Sequence, residues 1–307
     1  MSLAILFNHK ETSDWEQKLK EMLPNESVEV YPNIQDFNAI DFVVAWRPDR
    51  DDFAKFPNLK CIQSVGAGID HLLAVNLPEN VNVTRIVDPT LAQDMFEHIL
   101  TCILNSMKNF KFHQNNQGKK QWIPTSYLSI NETNVTVLGL GKIGTLAATK
   151  LAQLGFNVKG WSNSPKNIEK VSSFEGEIQL EDTLKDAHFV VNILPLTSKT
   201  ERILGKELFK HLNNAVLINV GRGKHLNEND LIEAISNNQI KEAYLDVFDL
   251  EPLPEKHPFW NNESIFITPH IASITNPNTA ILQVVENYNR LKENQSLLNV
   301  VDLSKEY

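Results

Sequence analysis

Short apolar runs alternate with amphipathic stretches along the whole chain. LAILF (3–7), SVEVY (27–31), DFVVAW (41–46), LKCIQSV (59–65) and VNVTRI (81–86) have the length and β-branched content of strands. Between the first two, Trp15, Leu19, Met22 and Leu23 recur at helical spacing, with Thr12 or Ser13 placed to cap. A long helix is predicted from Asp88-Pro89, since Asp caps and Pro suits the first turn, and it continues through LAQDMFEHILTCILNSMKNF (91–110). The stretch HQNNQGKKQ (113–121) carries no core pattern and reads as a surface connection. A second series follows: VTVLGL (135–140), FNVKGW (156–161), HFVVNIL (188–194), AVLINV (215–220), IKEAYLDV (240–247) and SIFITPH (264–270), with helical segments between. Asn276-Pro277 signals a last helix running through Ala280, Leu282, Val285, Tyr288 and Leu291.

Strands alternating with helices build parallel sheets covered on both faces. The expected fold is therefore α/β: two Rossmann-like or flavodoxin-like domains with doubly wound parallel sheets. Residues 1–92 plus 277–307 form one domain, discontinuous, and 93–276 are inserted into it. At 307 residues, both domains have room for a full core.

Composition adds exclusions. A net charge of −9 argues against nucleic acid, which needs clustered Lys and Arg, and the Lys119–Lys120 pair is too short to alter that. The cysteines, Cys61 and Cys102, both lie in apolar runs, as expected for buried thiols in a reducing compartment. The N-terminus does not resemble a signal peptide, and the apolar stretches fall short of a membrane span, so a cytoplasmic protein with no membrane partner is expected. The histidines lack ligand spacing, so no metal is expected.

Gly139, Gly141 and Gly144 form GLGKIG after an apolar strand and before a helix that opens at Lys142. In such a unit the first Gly permits the tight turn, the second lets pyrophosphate reach the backbone, and the third allows helix to pack on strand. The helix N-terminus then offers N–H groups to phosphate. A carboxylate at the end of the next strand would hold the ribose of NAD and repel the 2′-phosphate of NADP. Here Ser162, Asn163 and Ser164 stand instead, followed by Lys166, a set that accepts a phosphate. Lys166 is equally read as a solvated loop lysine.

Three stretches beyond strands carry further chemistry: INVGRGKHL (218–226), LDVFDLEPLPEKHPFW (245–260) and ITPHIAS (267–273). Together with VGAGIDH (65–71), GLGKIG and LPLTSKT (194–200), these motifs resemble, in order and over essentially the whole chain, the D-isomer-specific 2-hydroxyacid dehydrogenase family. Within it, WRP (46–48) and WSNSPK (161–166) look most like the glyoxylate/hydroxypyruvate reductase A branch, associated with NADPH. The resemblance implies His270 as proton donor, Glu251 orienting its ring, and Arg222 binding the substrate's carboxylate and carbonyl, a task suited to a planar fork of donors. It also implies cofactor contacts at Gly139, Gly141, Lys142, Ile143, Gly144, Ser162, Asn163, Ser164, Lys166, Leu194, Pro195, Thr200, Val220, Gly221, Ala272 and Asp246, the last on the nicotinamide carboxamide.

For the substrate, Val65, Gly66, Ala67 and Gly68 would offer backbone N–H groups as an anion nest, the plain alternative being a Gly-rich turn. Trp46 either walls a pocket or is core. Arg47 is either a second carboxylate contact or an exposed residue beside Pro48. Met95 on the long helix and His257 read as structural. The expectation is an oxidoreductase reducing small 2-oxo acids to 2-hydroxy acids by hydride transfer from NADPH, with NAD(H) as the second cofactor. The family is commonly dimeric, and the apolar helix over 91–107 offers surface for a homodimer. The alternatives are an NAD-dependent dehydrogenase of another acid, of D-lactate or phosphoglycerate type, and a non-catalytic dinucleotide-sensing interaction protein.

Overall fold

The computed structural model describes residues 2–8 and 11–305. In chain order its elements are β1 (Ser2–Phe7), α1 (Ser13–Met22), β2 (Ser27–Val30), β3 (Ile40–Trp46), β4 (Cys61–Ser64), α2 (Asp70–Leu73), β5 (Asn82–Thr84), α3 (Pro89–Met107) and α4 (Phe110–Gly118). There follow β6 (Asn134–Leu138), α5 (Lys142–Gln153), β7 (Asn157–Ser162), β8 (Val171–Glu175), α6 (Leu180–Leu184), β9 (Phe189–Asn192) and α7 (Lys206–Phe209). The last are β10 (Ala215–Asn219), α8 (Glu228–Ser236), β11 (Ile240–Leu245), β12 (Ile265–Ile267) and α9 (Pro277–Lys292). They form two units: Met1–Pro89 with Thr275–Tyr307, and Thr90–Ile274 between them.

The first unit holds a parallel sheet in the order β2-β1-β3-β4-β5. Its interior strands are apolar on both faces because both are covered: α1 and α9 pack together on one, and Phe53, Phe56, Ile69 and Leu72 pack on the other. α1 buries Trp15 and Leu19, and α9 buries Ala280, Ile281, Val284, Val285 and Tyr288. Asn276 caps α9 through its side-chain oxygen, 2.9 Å from the N–H of Asn278. Thr12 holds the corresponding position of α1 without a side-chain cap bond.

In the second unit the order is β12-β11-β10-β9-β6-β7-β8, again parallel. The chain leaves β6 in one direction for β7 and β8, then returns on its other side for β9 to β12. The reversal creates a crevice beyond the carboxyl ends of β6 and β9, the position where ligands bind in such sheets. α3 packs Phe96, Ile99, Cys102, Ile103 and Met107 into this unit's core. Met95, Leu100 and Leu104 of the same helix are only partly buried. Burial pushes both thiols, Cys61 and Cys102, up to about 12, because a thiolate has no solvation there. No described helix is long and apolar enough to cross a membrane.

Three local expectations change. The long helix stops at Met107, because Asn109 takes a left-handed conformation (φ 52°), and α4 then occupies most of the stretch read as a plain connection. A polar helix exposed on most sides leaves no apolar stripe to detect. β8 is a further strand: VSSFE lies at the sheet edge with no fully buried position and so shows no apolar run.

α5 approaches β6 through Gly144, where an added Cβ would lie 1.8 Å from the carbonyl oxygen of Gly139. Gly144→Ala must push the helix off the strand, and is expected to lower the unfolding free energy by about 1–3 kcal/mol in urea titration. An unchanged midpoint would show that the helix is not held at that distance by packing.

Candidate active site

Arg222, Glu251 and His270 stand in the loops after β10, β11 and β12, three neighbours in the sheet. The Arg222 and Glu251 loops press together at Gly223, where a Cβ would lie 1.9 Å from the carbonyl carbon of Phe248 and 2.2 Å from the nitrogen of Asp249. Only glycine permits that approach. Glu251 Oε1 accepts from the N–H of Phe248 (3.1 Å), and its carboxylate meets His270 Nδ1 at 2.8 Å (Oε2) and 3.1 Å (Oε1). The His270 side chain is 37% exposed and that of Glu251 19%. The ring is thus pinned at Nδ1 and partly open to solvent, the arrangement of an acid–base histidine with an orienting carboxylate. Arg222 donates from Nη1 to the carbonyl of Gly221 (2.7 Å).

His270 has φ 55°, a left-handed backbone that costs a non-glycine residue about 1–2 kcal/mol. Asp246 holds it there. The Asp246 carbonyl accepts from the N–H of His270 (2.8 Å). Its carboxylate accepts from Thr268 Oγ1 (2.6 Å), the N–H of Ile271 (2.9 Å) and the N–H of Ala272 (2.9 Å). Asp246 is 1% exposed, and a buried charge is tolerable only when donors replace water, as these three do. Its carboxylate is therefore turned to the His270 loop. His98 on α3 lies close enough to feel this charge: burial lowers its pKa, and the carboxylate offsets part of that.

The GLGKIG turn joins β6 to α5. Gly139 and Gly144 are buried, whereas Gly141 and Lys142 are exposed. A Cβ at Gly141 would meet nothing within 4 Å, so this position opens onto the space a pyrophosphate needs, with the first N–H groups of α5 beside it. These residues fit a dinucleotide. At the end of β7, Ser162 is buried and donates to the carbonyl of Ser164 (2.8 Å), which shapes the loop. Asn163, Ser164 and Lys166 are exposed. The register sets Glu175 of β8 beside Ser162, an acid that linear spacing does not reveal.

After β9, Leu194 is buried with its N–H 3.3 Å from Asn192 Oδ1. Thr200 Oγ1 closes the following loop on the carbonyl of Pro195 (2.6 Å). Val220 and Gly221 are buried between Asn219 and Arg222. Beneath them lies a polar cluster that motif reading missed: Asn192, Asn219 and His225, each 0% exposed. The available signal was an Asn at the end of two apolar runs, VVNIL and LINVG. Met95 and His257 are structural: Met95 packs on the core, and His257 Nε2 lies 3.1 Å from Glu228 Oε2.

In the other unit, Trp46 ends β3 half-buried, with Gly66 against its ring (3.2 Å from an added Cβ). Arg47 is exposed, with its guanidinium 5.6 Å from the Trp46 ring centre. The N–H of Val65 donates to the carbonyl of Ala45 (3.3 Å) and that of Gly66 to Ser64 Oγ (3.2 Å). The expected nest of four residues thus narrows to the N–H groups of Ala67 and Gly68. The carbonyls of Gly66 and Ala67 face Ile86 N–H (3.0 Å) and Arg85 Nη1 (3.3 Å). Each N–H points opposite the carbonyl of its own trans peptide, so both are turned the other way.

Asp246→Asn would set an amide N–H₂ or a single carbonyl against three donors. It is expected to cost about 1–3 kcal/mol of stability, read by urea denaturation, with thermolysin cleavage appearing around residues 268–272. A variant as stable and as protected as the parent would mean that the loop does not depend on this carboxylate.

Residues 100–272 match the profile of the D-isomer specific 2-hydroxyacid dehydrogenase NAD binding domain. The glyoxylate/hydroxypyruvate reductase A of Serratia proteamaculans (strain 568) is 37% identical over 310 residues, covering 98% of this chain and 99% of that protein. A D-isomer specific 2-hydroxyacid dehydrogenase from Xanthobacter autotrophicus Py2, solved in complex with NADPH and MES, superposes with a TM-score of 0.93 at 37% identity, both chains covered in full. The NADPH-dependent glyoxylate/hydroxypyruvate reductase from Sinorhizobium meliloti, in complex with NADP and sulfate, gives 0.93 at 32% identity over the whole of both chains. With its paired histidine and glutamate, its arginine loop and its dinucleotide cradle, this chain belongs to the D-isomer specific 2-hydroxyacid dehydrogenases, a family of NAD(P)-dependent oxidoreductases.

Proposed function

We propose that the protein reduces small 2-oxo acids, glyoxylate and hydroxypyruvate first, to 2-hydroxy acids with NADPH. The observation that carries this reading is the His270–Glu251 pair, 2.8 Å apart across two loops that neighbour the Arg222 loop. When bound, the dinucleotide supplies the hydride to the carbonyl carbon. The chain's own part is to hold the acid and deliver the proton. Glu251 accepts from Nδ1 and so keeps that nitrogen protonated, leaving Nε2 of the imidazolium to protonate the oxygen that gains charge. Arg222 binds the carboxylate and carbonyl oxygens through its planar fork. Trp46, Arg47 and the backbone of Val65, Gly66, Ala67 and Gly68 are assigned to the substrate as well, with the N–H groups of Ala67 and Gly68 as the anion donors.

Gly139, Gly141, Lys142, Ile143 and Gly144 are assigned to the pyrophosphate. Leu194, Pro195, Thr200, Val220, Gly221 and Ala272 are assigned to the lining of the cofactor cleft, and Asp246 to the nicotinamide carboxamide. Preference for NADP(H) over NAD(H) is supported by the neutral end of β7, by exposed Lys166, and by similar proteins solved with NADPH or NADP. The protein is assigned to the cytoplasm, where its two buried thiols stay reduced. A homodimer is assigned as well, with α3 over 91–107 offering surface and Phe110 (63% exposed), Trp122 (97%) and Tyr127 (60%) exposed beyond it.

Initial rates of glyoxylate and hydroxypyruvate reduction are expected to be higher with NADPH than NADH; the reverse order would overturn the cofactor assignment. His270→Gln and Arg222→Ala are expected to lower kcat/KM by roughly 10²–10⁴-fold with NADPH fluorescence on binding retained, and full activity in either would remove that residue from the reaction. Light scattering after gel filtration is expected to give a dimer for the parent and a shift toward monomer for Trp122→Ser.

A further inference from the structure

His225 does not touch solvent, yet it forms the floor of the Arg222 loop. Three residues beyond Arg222, it folds back on that residue twice. The main-chain N–H of Arg222 donates to His225 Nδ1 (3.0 Å), and the N–H of His225 donates to the Arg222 carbonyl (3.2 Å). Both main-chain polar groups of Arg222 are therefore bonded to the same residue. The other ring nitrogen, Nε2, lies 3.2 Å from the carbonyl of Pro195 in the loop after β9.

The ring's state follows from its partners. Nδ1 faces the Arg222 N–H and, at 2.9 Å, Asn192 Nδ2, both donors, so it carries no proton. Nε2 faces a carbonyl and carries the proton. Asn192 is itself fixed by a bond from Nδ2 to Asn219 Oδ1 (2.9 Å). Asn219 in turn accepts from the N–H of Gly221 (3.2 Å) and donates from Nδ2 to the Arg222 carbonyl (3.2 Å). Gly221 packs directly over the imidazole: a Cβ there would lie 3.0 Å from Nδ1. No aliphatic side chain at 225 satisfies the Arg222 N–H, the Asn192 amide and the Pro195 carbonyl together, and buried polar groups left unpaired drive a backbone to move.

We propose that His225 is the positioning residue for Arg222: its neutral imidazole, held as the Nε2–H tautomer, sets the direction of the arginine and locks its loop to the Pro195 loop. This rests on the assignment of Arg222 to the substrate. His225 does not meet the substrate; it acts through the arginine. Its signature is thus a loss of kcat/KM that exists only while Arg222 is present.

The test is a double-mutant cycle on the full-length enzyme, with glyoxylate and NADPH. His225→Leu is expected to lower kcat/KM by roughly tenfold to a hundredfold, the cost of misplacing a binding group by about 1 Å. His225→Asn, whose Oδ1 replaces Nδ1 as acceptor, is expected to recover most of that loss. His225→Gln, which keeps the donor toward Pro195 but not the acceptor, is expected to recover little. Added to Arg222→Ala, His225→Leu is expected to change kcat/KM by no more than about twofold, since nothing remains to position. A fold-effect as large in the Arg222→Ala background as in the parent, or Asn and Gln variants of equal activity, would overturn the proposal. If His225→Leu does not fold, the comparison of Asn with Gln decides alone. Should Arg222→Ala itself retain full activity, the assignment of Arg222 fails instead, a distinct result visible in the single variant.

Discussion

The buried carboxylate of Asp246 is the constraint on which the His270 loop depends. Three donors converge on it, two from the backbone of the segment that carries His270 and one from Thr268. An ionised group with almost no contact with water persists only if those bonds are all made. The loop therefore has one low-energy course, and along it His270 is held in a left-handed conformation it would not choose alone. That conformation sets the ring against Glu251. The orientation of the histidine is thus fixed from two sides: the backbone by an aspartate below, and Nδ1 by a glutamate beside it.

Parallel topology does the gathering. In an open sheet all strands point the same way, so every loop that follows a strand emerges at one edge. β10, β11 and β12 are adjacent, and their following loops bring Arg222, Glu251 and His270 together from positions far apart in sequence. The cradle after β6 opens at that same edge, separated from β10 by β9 alone. Between these loops the contacts are close enough that side chains are excluded, at Gly144 on Gly139 and at Gly223 on Phe248. A second layer of buried amides and an imidazole then fixes the loops to one another through the polar atoms of Asn192, Asn219 and His225. Packing sets where the loops lie, and hydrogen bonds set which way their residues face.

Much of this was legible along the chain because the relevant signals are local. Apolar runs marked all but one of the strands, and a Gly spacing after such a run marked the cradle, since both follow from what a single strand or turn requires of its own residues. Arg222, Glu251 and His270 stood out because each lies just past an apolar run. α4 and β8 did not, because a solvated helix and an edge strand bury too little to impose a period. Likewise, nothing linear sets Glu175 beside Ser162; strand register does.

The sequence by itself determined two α/β layers, one inserted in the other, a glycine cradle, and the set of polar residues at strand ends. Only the tertiary structure decided their partners. It turned Asp246 inward to the His270 loop, closed Ser162 on its own turn, engaged the N–H of Gly66, and seated His225 under Arg222. The reason is physical: periodicity and spacing report how each segment meets water, whereas a buried donor or acceptor is satisfied by whichever group the packed chain brings within about 3 Å, and hydropathy does not encode that choice whether the partner is two residues away or twenty-six.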